Sequence, residues 1–499
     1  MNQKLLFARA YEKEAAKCIP DEERPVFHLT PYTGWMNDPN GFSFFQGKYH
    51  LFYQYNPYDT MWDAMHWGHA VSEDLLHWEY LPAAMAPDEW YDDAGVYSGS
   101  AEQLPDGRQL LMYTAVRVEG GDKKTEVQTQ CVAIGDGVNY TKVPENPVID
   151  ERMLPEGYDK SNFRDPRIFR DKDGVYRCIV GARRENELGT LLKYKSEDGL
   201  RWSYDGVLIE NDGRLGLNWE CPDLFQLDGK TVVLISPQDM LPEGFEYHNG
   251  NGTVAMIGSC DENGRFIPES DHAIDYGIDF YAPTTVLSPD GRRIMIGWMQ
   301  NWDTTKLTGS QDRKWFGQMT LPRELSLKNG RLYQQPIREL QQFRSGKVHY
   351  ENVLVDQDIE LPGIEGRRTE LEISVRPEDG EPLYHKFAVR FMKNEKFHSA
   401  LSYRPHESVL RIDRKFSGSR RAYIHQRRCE VPSRNGEIRL RLILDRYSVE
   451  AFINDGEQTM TATILTELSA SGISFFADGK ARIDVTKYDL FNGEKNETV

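Results

Sequence analysis

The sequence predicts an all-β protein, a five-bladed β-propeller followed by a C-terminal β-sandwich. Five glycine turns, each opening an aliphatic or aromatic strand, recur at intervals of 60, 67, 55 and 62 residues. Repeats of this length with several short strands are typical of propeller blades. After residue 345, apolar and polar residues alternate at strand spacing, which predicts the sandwich. The turn glycines are Gly47, Gly107, Gly174, Gly229 and Gly291.

The domain boundaries follow from these patterns. The propeller domain is predicted over residues 1–335. Charged residues interrupt its first 24 residues throughout, and this segment is predicted to form a short amphipathic helical extension. A linker helix is predicted over 336–345, a segment that begins with a proline. The sandwich is predicted over 346–499. Its candidate strands are ELEISV, KFAVRF, SALSYR, SVLRID, IRLRLILD, SVEAFIND, TATIL and ISFFA.

Composition narrows the class of protein. A net charge of -18 and a pI near 5.2 argue against nucleic acid as a partner. The six cysteines are scattered without metal-ligand spacing, so we predict reduced thiols and neither a metal nor a cofactor. No apolar run has the length of a signal peptide core or a transmembrane span. We therefore expect a cytoplasmic protein that does not bind membranes.

Acidic residues occupy equivalent positions in the repeat. The residue nine positions before each turn glycine is, in order, Asp38, Ser98, Asp165, Glu220 and Ala282. If the five units surround one axis, these positions face the same centre. Three carboxylates that converge on one point repel one another, so the pattern predicts an active site and not a scaffold feature.

The local sequences fix the direction of these acids. Asp38 in WMNDPNG and Asp165 in NFRDPRIF share an Asp-Pro step, in which an extended residue precedes a rigid ring. Glu220 in NWECPDLF has its proline one residue later than the two Asp residues do. Because a Glu side chain is longer than that of Asp, it is predicted to reach another part of the same pocket. A structural Asx turn would not explain why the motif recurs at the same offset.

Paired carboxylates of this kind suit glycoside hydrolysis. In a retaining enzyme one carboxylate attacks the sugar while the other transfers the proton. A third carboxylate would stabilise the oxocarbenium-like transition state. The alternative is a Ca²⁺ or Mg²⁺ site, but no loop carries the dense Asp and Asn ligands of an EF-hand.

Several motifs resemble glycoside hydrolase family 32, the family of invertases, sucrose-6-phosphate hydrolases, levanases and inulinases. They begin with WMNDPNG, SGSA (98–101), FRDP (163–166) and the Glu-Cys pair at 220–221. Further blocks are MHWGHAVSEDLLHW, IDFYAPTT, WMQNW, LPREL and DRYSVEAFINDG. The resemblance covers nearly the whole chain, including the predicted sandwich.

The resemblance implies a role for each acid. Asp38 would be the nucleophile that attacks the anomeric carbon of a β-fructofuranoside, Glu220 the general acid/base and Asp165 the transition-state stabiliser. Other positions would bind the sugar. These are Asn37, Gln54, Trp62, Ser98, Arg164, Asp279 and Tyr281.

Some questions stay open at the level of sequence. Fructosyl transfer would use the same residues as hydrolysis, and a carbohydrate-binding protein or an inverting arabinan-type propeller enzyme are further alternatives. The substrate could be sucrose, sucrose 6-phosphate or a short fructo-oligosaccharide. Cys221 either changes the environment of the neighbouring acid or is only a small buried residue of its strand. Gln300 either narrows the pocket or alters a turn. The sandwich offers a surface for homo-oligomerisation. Candidate phosphate ligands are Arg117, Lys123, Lys124, Arg183 and Arg184.

Overall fold

The computed structural model describes residues 2–63, 65–121, 125–308, 313–418 and 424–491, with the side chains of 306–308 excepted. Two α-helices accompany the strands, α1 (Gln3–Ala16) and α2 (Trp302–Thr308). Short 3-10 helices span Asp21–Glu23, Glu119–Gly121, Glu151–Met153 and Arg338–Phe343. The last of these occupies the position of the predicted linker helix.

The N-terminal part of the chain forms five sheets of consecutive antiparallel strands. The first contains β1 (Gly34–Phe45), β2 (Lys48–Asn56), β3 (His66–Ser72) and β4 (Glu79–Met85). The second contains β5 (Gly95–Gln103), β6 (Gln109–Val118), β7 (Glu126–Gly135) and β8 (Tyr140–Lys142). The third contains β9 (Tyr158–Arg170), β10 (Tyr176–Arg184), β11 (Gly189–Ser196) and β12 (Ser203–Glu210). The fourth contains β13 (Trp219–Leu227), β14 (Lys230–Pro237), β15 (Val254–Cys260) and β16 (Phe266–Ala273). The fifth contains β17 (Tyr281–Leu287) and β18 (Arg293–Trp298), then, after the separate strand β19 (Trp315–Phe316), β20 (Arg323–Lys328) and β21 (Arg331–Pro336).

The first strand of each sheet faces a common centre. β1, β5, β9, β13 and β17 contact one another in that order, and β17 contacts β1 again. β19, which lies between β18 and β20 in the chain, pairs in parallel with β1 of the first sheet, so it ties the last sheet to the first. The propeller-like, all-β architecture predicted from the sequence is confirmed. The count of five blades stays a prediction, which the five sheets support.

The C-terminal part is a sandwich of two six-stranded sheets. Its strands are β22 (Arg344–Val355), β23 (Asp358–Ile359), β24 (Thr369–Pro377), β25 (Lys386–Lys393), β26 (Ser399–Arg404), β27 (Val409–Asp413), β28 (Gln426–Glu430), β29 (Ile438–Asp445), β30 (Ser448–Ile453), β31 (Gln458–Thr463), β32 (Gly472–Asp478) and β33 (Ala481–Leu490). The order is β22-β33-β24-β29-β30-β31 in one sheet and β23-β32-β25-β26-β27-β28 in the other. Alternating side chains of both sheets are buried between them, and they form one continuous apolar core with buried residues of the third and fourth N-terminal sheets.

Buried ionic contacts join the two domains. The Arg323 guanidinium on β20 donates to Glu450 on β30 and lies 3.0 Å from Asp275. His28, which precedes β1, lies 2.9 Å from both Asp445 and Glu450. Within the described residues, no helix combines the length and apolar character that crossing a bilayer requires.

Candidate active site

All five first strands are irregular at the position of the predicted acids. The register of β1 with β2 shifts between Met36 and Pro39, and equivalent shifts occur in β5, β9, β13 and β17. β-Bulges of this kind redirect side chains and are enriched beside active sites. Asp165 (φ 64), Cys221 (φ 48) and Ala282 (φ 49) have left-handed backbones at these points. The five predicted equivalent positions therefore share a strand position and a local distortion.

Asp38 lies at the centre of a small network of donors. Its Oδ2 accepts a hydrogen bond from Ser98 Oγ at 2.9 Å and lies 3.4 Å from Cys221 Sγ. Its Oδ1 is buried and has no hydrogen-bond partner within the described part of the chain. Burial and the nearby charge of Glu220 raise the pKa of Asp38 to about 6, against hydrogen bonds that favour the ionised form.

Asp165 is held from two sides. The backbone N–H of Cys221 donates to Asp165 Oδ2 at 2.8 Å, and the N–H of Asp165 itself donates to Thr114 Oγ1 at 2.9 Å. Burial raises the pKa of Asp165 to about 7; the Arg164 charge opposes this change and the Glu220 charge adds to it. Asp38 and Asp165 thus share Cys221 as a common donor.

Glu220 has two donors of its own. Arg164 Nη2 donates to Glu220 Oε1 at 2.8 Å, and the Tyr281 hydroxyl donates to Oε2 at 2.7 Å. Arg164 Nε also lies 4.0 Å from Asp165. Burial opposes the charge of Arg164, but the two carboxylates outweigh that effect and raise its pKa above the ordinary value. The arginine therefore stays cationic and links two of the acids.

These side chains line a cavity of about 500 Å³, a volume suited to a small sugar. The structure brings together in its wall the three acids and five of the residues predicted to bind sugar. Those five are Asn37, Gln54, Trp62, Ser98 and Arg164. Tyr281 is fully buried behind Glu220, so it contacts the acid and does not line the cavity.

Asp279 requires a correction. Its carboxylate is completely buried against the sandwich, where Oδ2 accepts from the backbone N–H of Thr463 at 2.7 Å and pairs with Arg414. Oδ1 accepts from the Thr304 hydroxyl at 3.2 Å. Asp279 is not part of the cavity wall. Asp279 therefore links the two domains and is not placed to make the predicted sugar contact.

The remaining wall residues were not predicted from the sequence. They are Tyr97, Glu126, Gln128, Ser161, Asn162, Gln238 and Trp302. Trp302 is the last residue of the WMQNW motif, so the sequence did contain a motif from which it could have been predicted. The others lie on strands or, for Gln238, directly after one, outside the repeated position, where the sequence carries no periodic signal. Gln300 is buried but is not among the wall residues.

The candidate phosphate ligands that the structure describes are paired with acidic groups. Arg117 lies 3.0 Å from Glu151, and Arg183 lies 2.7 Å from Asp159. Arg184 lies 3.7 Å from Glu210 and donates to the carbonyl oxygen of Asn211. Lys123 and Lys124 lie outside the described residues.

Comparisons with known proteins agree with this geometry. The model of the glycosyl hydrolases family 32 N-terminal domain matches residues 28–336, and that of the family's C-terminal domain matches residues 339–491. Sucrose-6-phosphate hydrolase of Zymomonas mobilis subsp. mobilis is 34% identical over 96% of this chain and 94% of its own length. Raffinose invertase of Escherichia coli is 32% identical over 96% of this chain and 97% of its own length.

Solved structures show the same similarity. The GH32 beta-fructofuranosidase BmSUC1 of Bombyx mori has a TM-score of 0.83 and 33% identity, covering 98% of this chain and 99% of that one. A mutant of that protein has been solved in complex with sucrose, with a TM-score of 0.82 and 32% identity over 97% of both chains. The chain belongs to glycosyl hydrolase family 32.

Proposed function

We propose that this protein is a retaining β-fructofuranosidase that releases the terminal fructose of sucrose-type substrates. The observation that carries the proposal is the convergence of three carboxylates on one cavity: Asp38, Asp165 and Glu220 line its wall, and Ser98 and Cys221 hold Oδ2 of Asp38. Retaining glycoside hydrolysis uses such a set, with one carboxylate as the nucleophile and a second as the acid/base. The relatives named sucrose-6-phosphate hydrolase and raffinose invertase support the substrate class.

In the first step, the Asp38 carboxylate attacks the anomeric carbon of the fructosyl group. Glu220 donates a proton to the glycosidic oxygen as that bond breaks, so the leaving sugar departs as a neutral alcohol. Asp165 lies beside the developing positive charge of the sugar ring and stabilises it. The product of this step is a fructosyl ester of Asp38.

In the second step, Glu220 takes a proton from a water molecule that attacks the same carbon. The ester bond to Asp38 breaks and the carboxylate is restored, so the sugar leaves with its original configuration. Arg164 and Tyr281 hold the two oxygens of Glu220 at 2.8 and 2.7 Å. We expect these contacts to keep the group directed at the glycosidic oxygen and then at the water.

Substitution of the two acids tests the proposal. We expect Asp38→Asn to lower kcat for fructose release about 10⁴-fold or more. Glu220→Ala should lower it about 10²- to 10⁴-fold because a proton transfer is lost. Azide, a nucleophile that needs no general base, should rescue Glu220→Ala but not Asp38→Asn.

A surface variant provides the control for these measurements. Asp173→Asn changes an exposed carboxylate in a turn and should retain full activity. Thermal unfolding should show that all three variants are folded. Near-normal turnover of folded Asp38→Asn or Glu220→Ala would overturn the assignment.

A further inference from the structure

Trp302 forms one side of the cavity wall from the start of helix α2. Its ring packs against Trp35, with ring centroids 6.1 Å apart and planes 23° from parallel, and against Trp298 at 5.0 Å. An apolar ring in a mostly polar wall matches the C–H groups of a sugar. Because α2 has only seven residues, it depends on contacts with the rest of the molecule for its stability. The position of Trp302 therefore depends on what its neighbours in the chain bind.

The two residues that flank Trp302 both bind Asn251. Asp303 Oδ2 accepts from the backbone N–H of Asn251 at 2.9 Å, and Asp303 Oδ1 accepts from its side-chain amide at 2.7 Å. Asn301 Nδ2 donates to the carbonyl oxygen of Asn251 at 2.9 Å. Asn301 Oδ1 in turn accepts from the backbone N–H of Asp303 at 2.9 Å. These four hydrogen bonds among Asn251, Asn301 and Asp303 form an arrangement that we call the Asn251 clamp.

The Asn251 clamp joins α2 to the segment between β14 and β15. That segment begins with Gln238, another residue of the cavity wall, and the N–H of Gly252 donates to the carbonyl oxygen of Pro237 at 3.0 Å. Gly250 makes room for the clamp, since φ there is 97° and an added Cβ would lie 2.2 Å from Asp303 Oδ2. The clamp therefore fixes wall residues of two neighbouring sheets relative to one another.

The sandwich supports the same helix. The Thr304 hydroxyl donates to Asp279 Oδ1 at 3.2 Å, and Asp279 pairs with Arg414 of the sandwich. Burial lowers the pKa of Arg427 on β28, and the charges of Asp303 and Asp279 act against this change. A carboxylate at position 303 thus accepts from both donors of Asn251 and faces a nearby cation.

We propose that Asp303 is a positioning residue of this active site, which through the Asn251 clamp holds Trp302 in the orientation in which its ring packs on the sugar. This inference rests on the proposed fructosidase activity. Asp303 itself is not among the wall residues. Wall side chains keep a productive geometry when hydrogen bonds behind them fix their position. Since the Trp302 ring takes no part in the bond changes, its displacement weakens binding and leaves the chemical step unchanged.

A double-mutant cycle with sucrose tests the inference on the full-length protein. We expect Asp303→Ala to raise KM at least about fivefold and to change kcat less than about twofold. Trp302→Ala should raise KM as well. Added to Trp302→Ala, the Asp303→Ala change should alter kcat/KM less than about twofold, because the residue on which it acts is gone. A loss of stability alone would not produce this dependence.

Glu246→Ala is the matched control for Asp303→Ala. Glu246 belongs to the same segment, and its carboxylate accepts from the backbone N–H of Ala273 at 2.8 Å and from the Tyr276 hydroxyl at 2.6 Å. Its loss removes two hydrogen bonds at a distance from the clamp. We expect a lower Tm with an unchanged KM.

A second pair of variants displaces Asp303 without replacing it. Gly250→Ala should push the carboxylate away and raise KM as Asp303→Ala does. Gly213→Ala carries the same backbone strain, with φ of 98°, but its Cβ would meet only Leu188 at 3.8 Å. It should leave KM unchanged.

An unchanged KM in folded Asp303→Ala and Gly250→Ala would overturn the inference. So would an Asp303→Ala effect that persists in full in the Trp302→Ala background. Either result leaves the fructosidase assignment in place, whereas a wild-type protein that releases no fructose from sucrose-type substrates would overturn the proposed function.

Discussion

Cys221 donates hydrogen bonds to two of the three acids. Its left-handed backbone, with φ of 48°, directs the N–H to Asp165 at 2.8 Å, while Sγ lies 3.4 Å from Asp38. Burial and the surrounding carboxylates raise the pKa of its thiol well above the ordinary value. The thiol is therefore protonated at neutral pH and donates to Asp38. Of the two sequence-based hypotheses for Cys221, this geometry favours tuning of the acids.

Replacement of Cys221 should move the pH profile. In the proposed mechanism Asp38 must be ionised to attack. Its pKa is about 6, so kcat/KM should fall as pH falls through about 6, which gives the pH profile an acidic limb. Cys221→Ala removes a hydrogen-bond donor that favours the ionised carboxylate of Asp38. The pKa of Asp38 therefore rises, and the acidic limb of the pH profile moves to higher pH. Cys221→Ser keeps a donor and should leave the limb near its original place. Identical profiles for the wild type and Cys221→Ala would show that the thiol only fills space.

At the scale of elements, the sequence predicted the position of the acids better than the rest of the wall. Asp38, Asp165 and Glu220 could be predicted because strand length and turn glycine fix one repeated offset. Gln128 and Asn162 could not, since they lie outside that offset and belong to common residue types. Asp279 was misplaced because its partners, Thr463 and Arg414, belong to another domain. Such docking leaves no local pattern in the sequence.

The pairing of β19 with β1 was also not predicted, and it depends on Gly34. This residue has φ of 68° and pairs with Trp315, and an added Cβ would lie 2.1 Å from the carbonyl oxygen of Asn56. The next residue, Trp35, stacks on Phe316 with ring centroids 4.8 Å apart and donates to Asn37 in the cavity wall. Closure of the ring and placement of Asn37 are therefore coupled.

Alanine at Gly34 should destabilise the protein through both strain and a backbone clash. We expect a loss of at least about 2 kcal/mol in the free energy of unfolding, and weaker substrate binding. Gly47→Ala is the matched control: φ there is 83°, but an added Cβ meets nothing within 4 Å. It should cost only about 1 kcal/mol, the strain of a left-handed residue. Equal thermal shifts for the two variants would contradict the role assigned to Gly34.

For the whole molecule, the contact between the domains is stabilised by a buried charge network. Burial opposes a charged His28, but its bonds to Asp445 and Glu450 outweigh this effect and raise its pKa to about 9. Glu450 also accepts from Arg323 and from the backbone N–H of Leu321. The network places a cation from the segment before β1 between two acids of the sandwich, so both domains depend on its charge.

The stability of the protein should depend on the charge of His28. Because the folded pKa lies above the unfolded value, the contribution is fully present below about pH 6.5 and is lost as pH rises through about 9. The loss should be about 1–3 kcal/mol. His28→Gln should lower Tm at pH 7 and flatten its decline between pH 7 and 9. The exposed His349→Gln should leave the decline as it is in the wild type. An unchanged slope in His28→Gln would contradict this account.

The central claim, a covalent intermediate on Asp38, can be tested by mass spectrometry. In Glu220→Gln, a fructosyl donor with a good leaving group, such as the fluoride, still forms the ester but breaks it down slowly. The mass of one fructosyl group should then appear on the peptide that contains Asp38, and it should be absent when Asp38→Asn is added. Turnover of the fluoride with no labelled peptide, or label on the peptide of Asp165, would contradict the account.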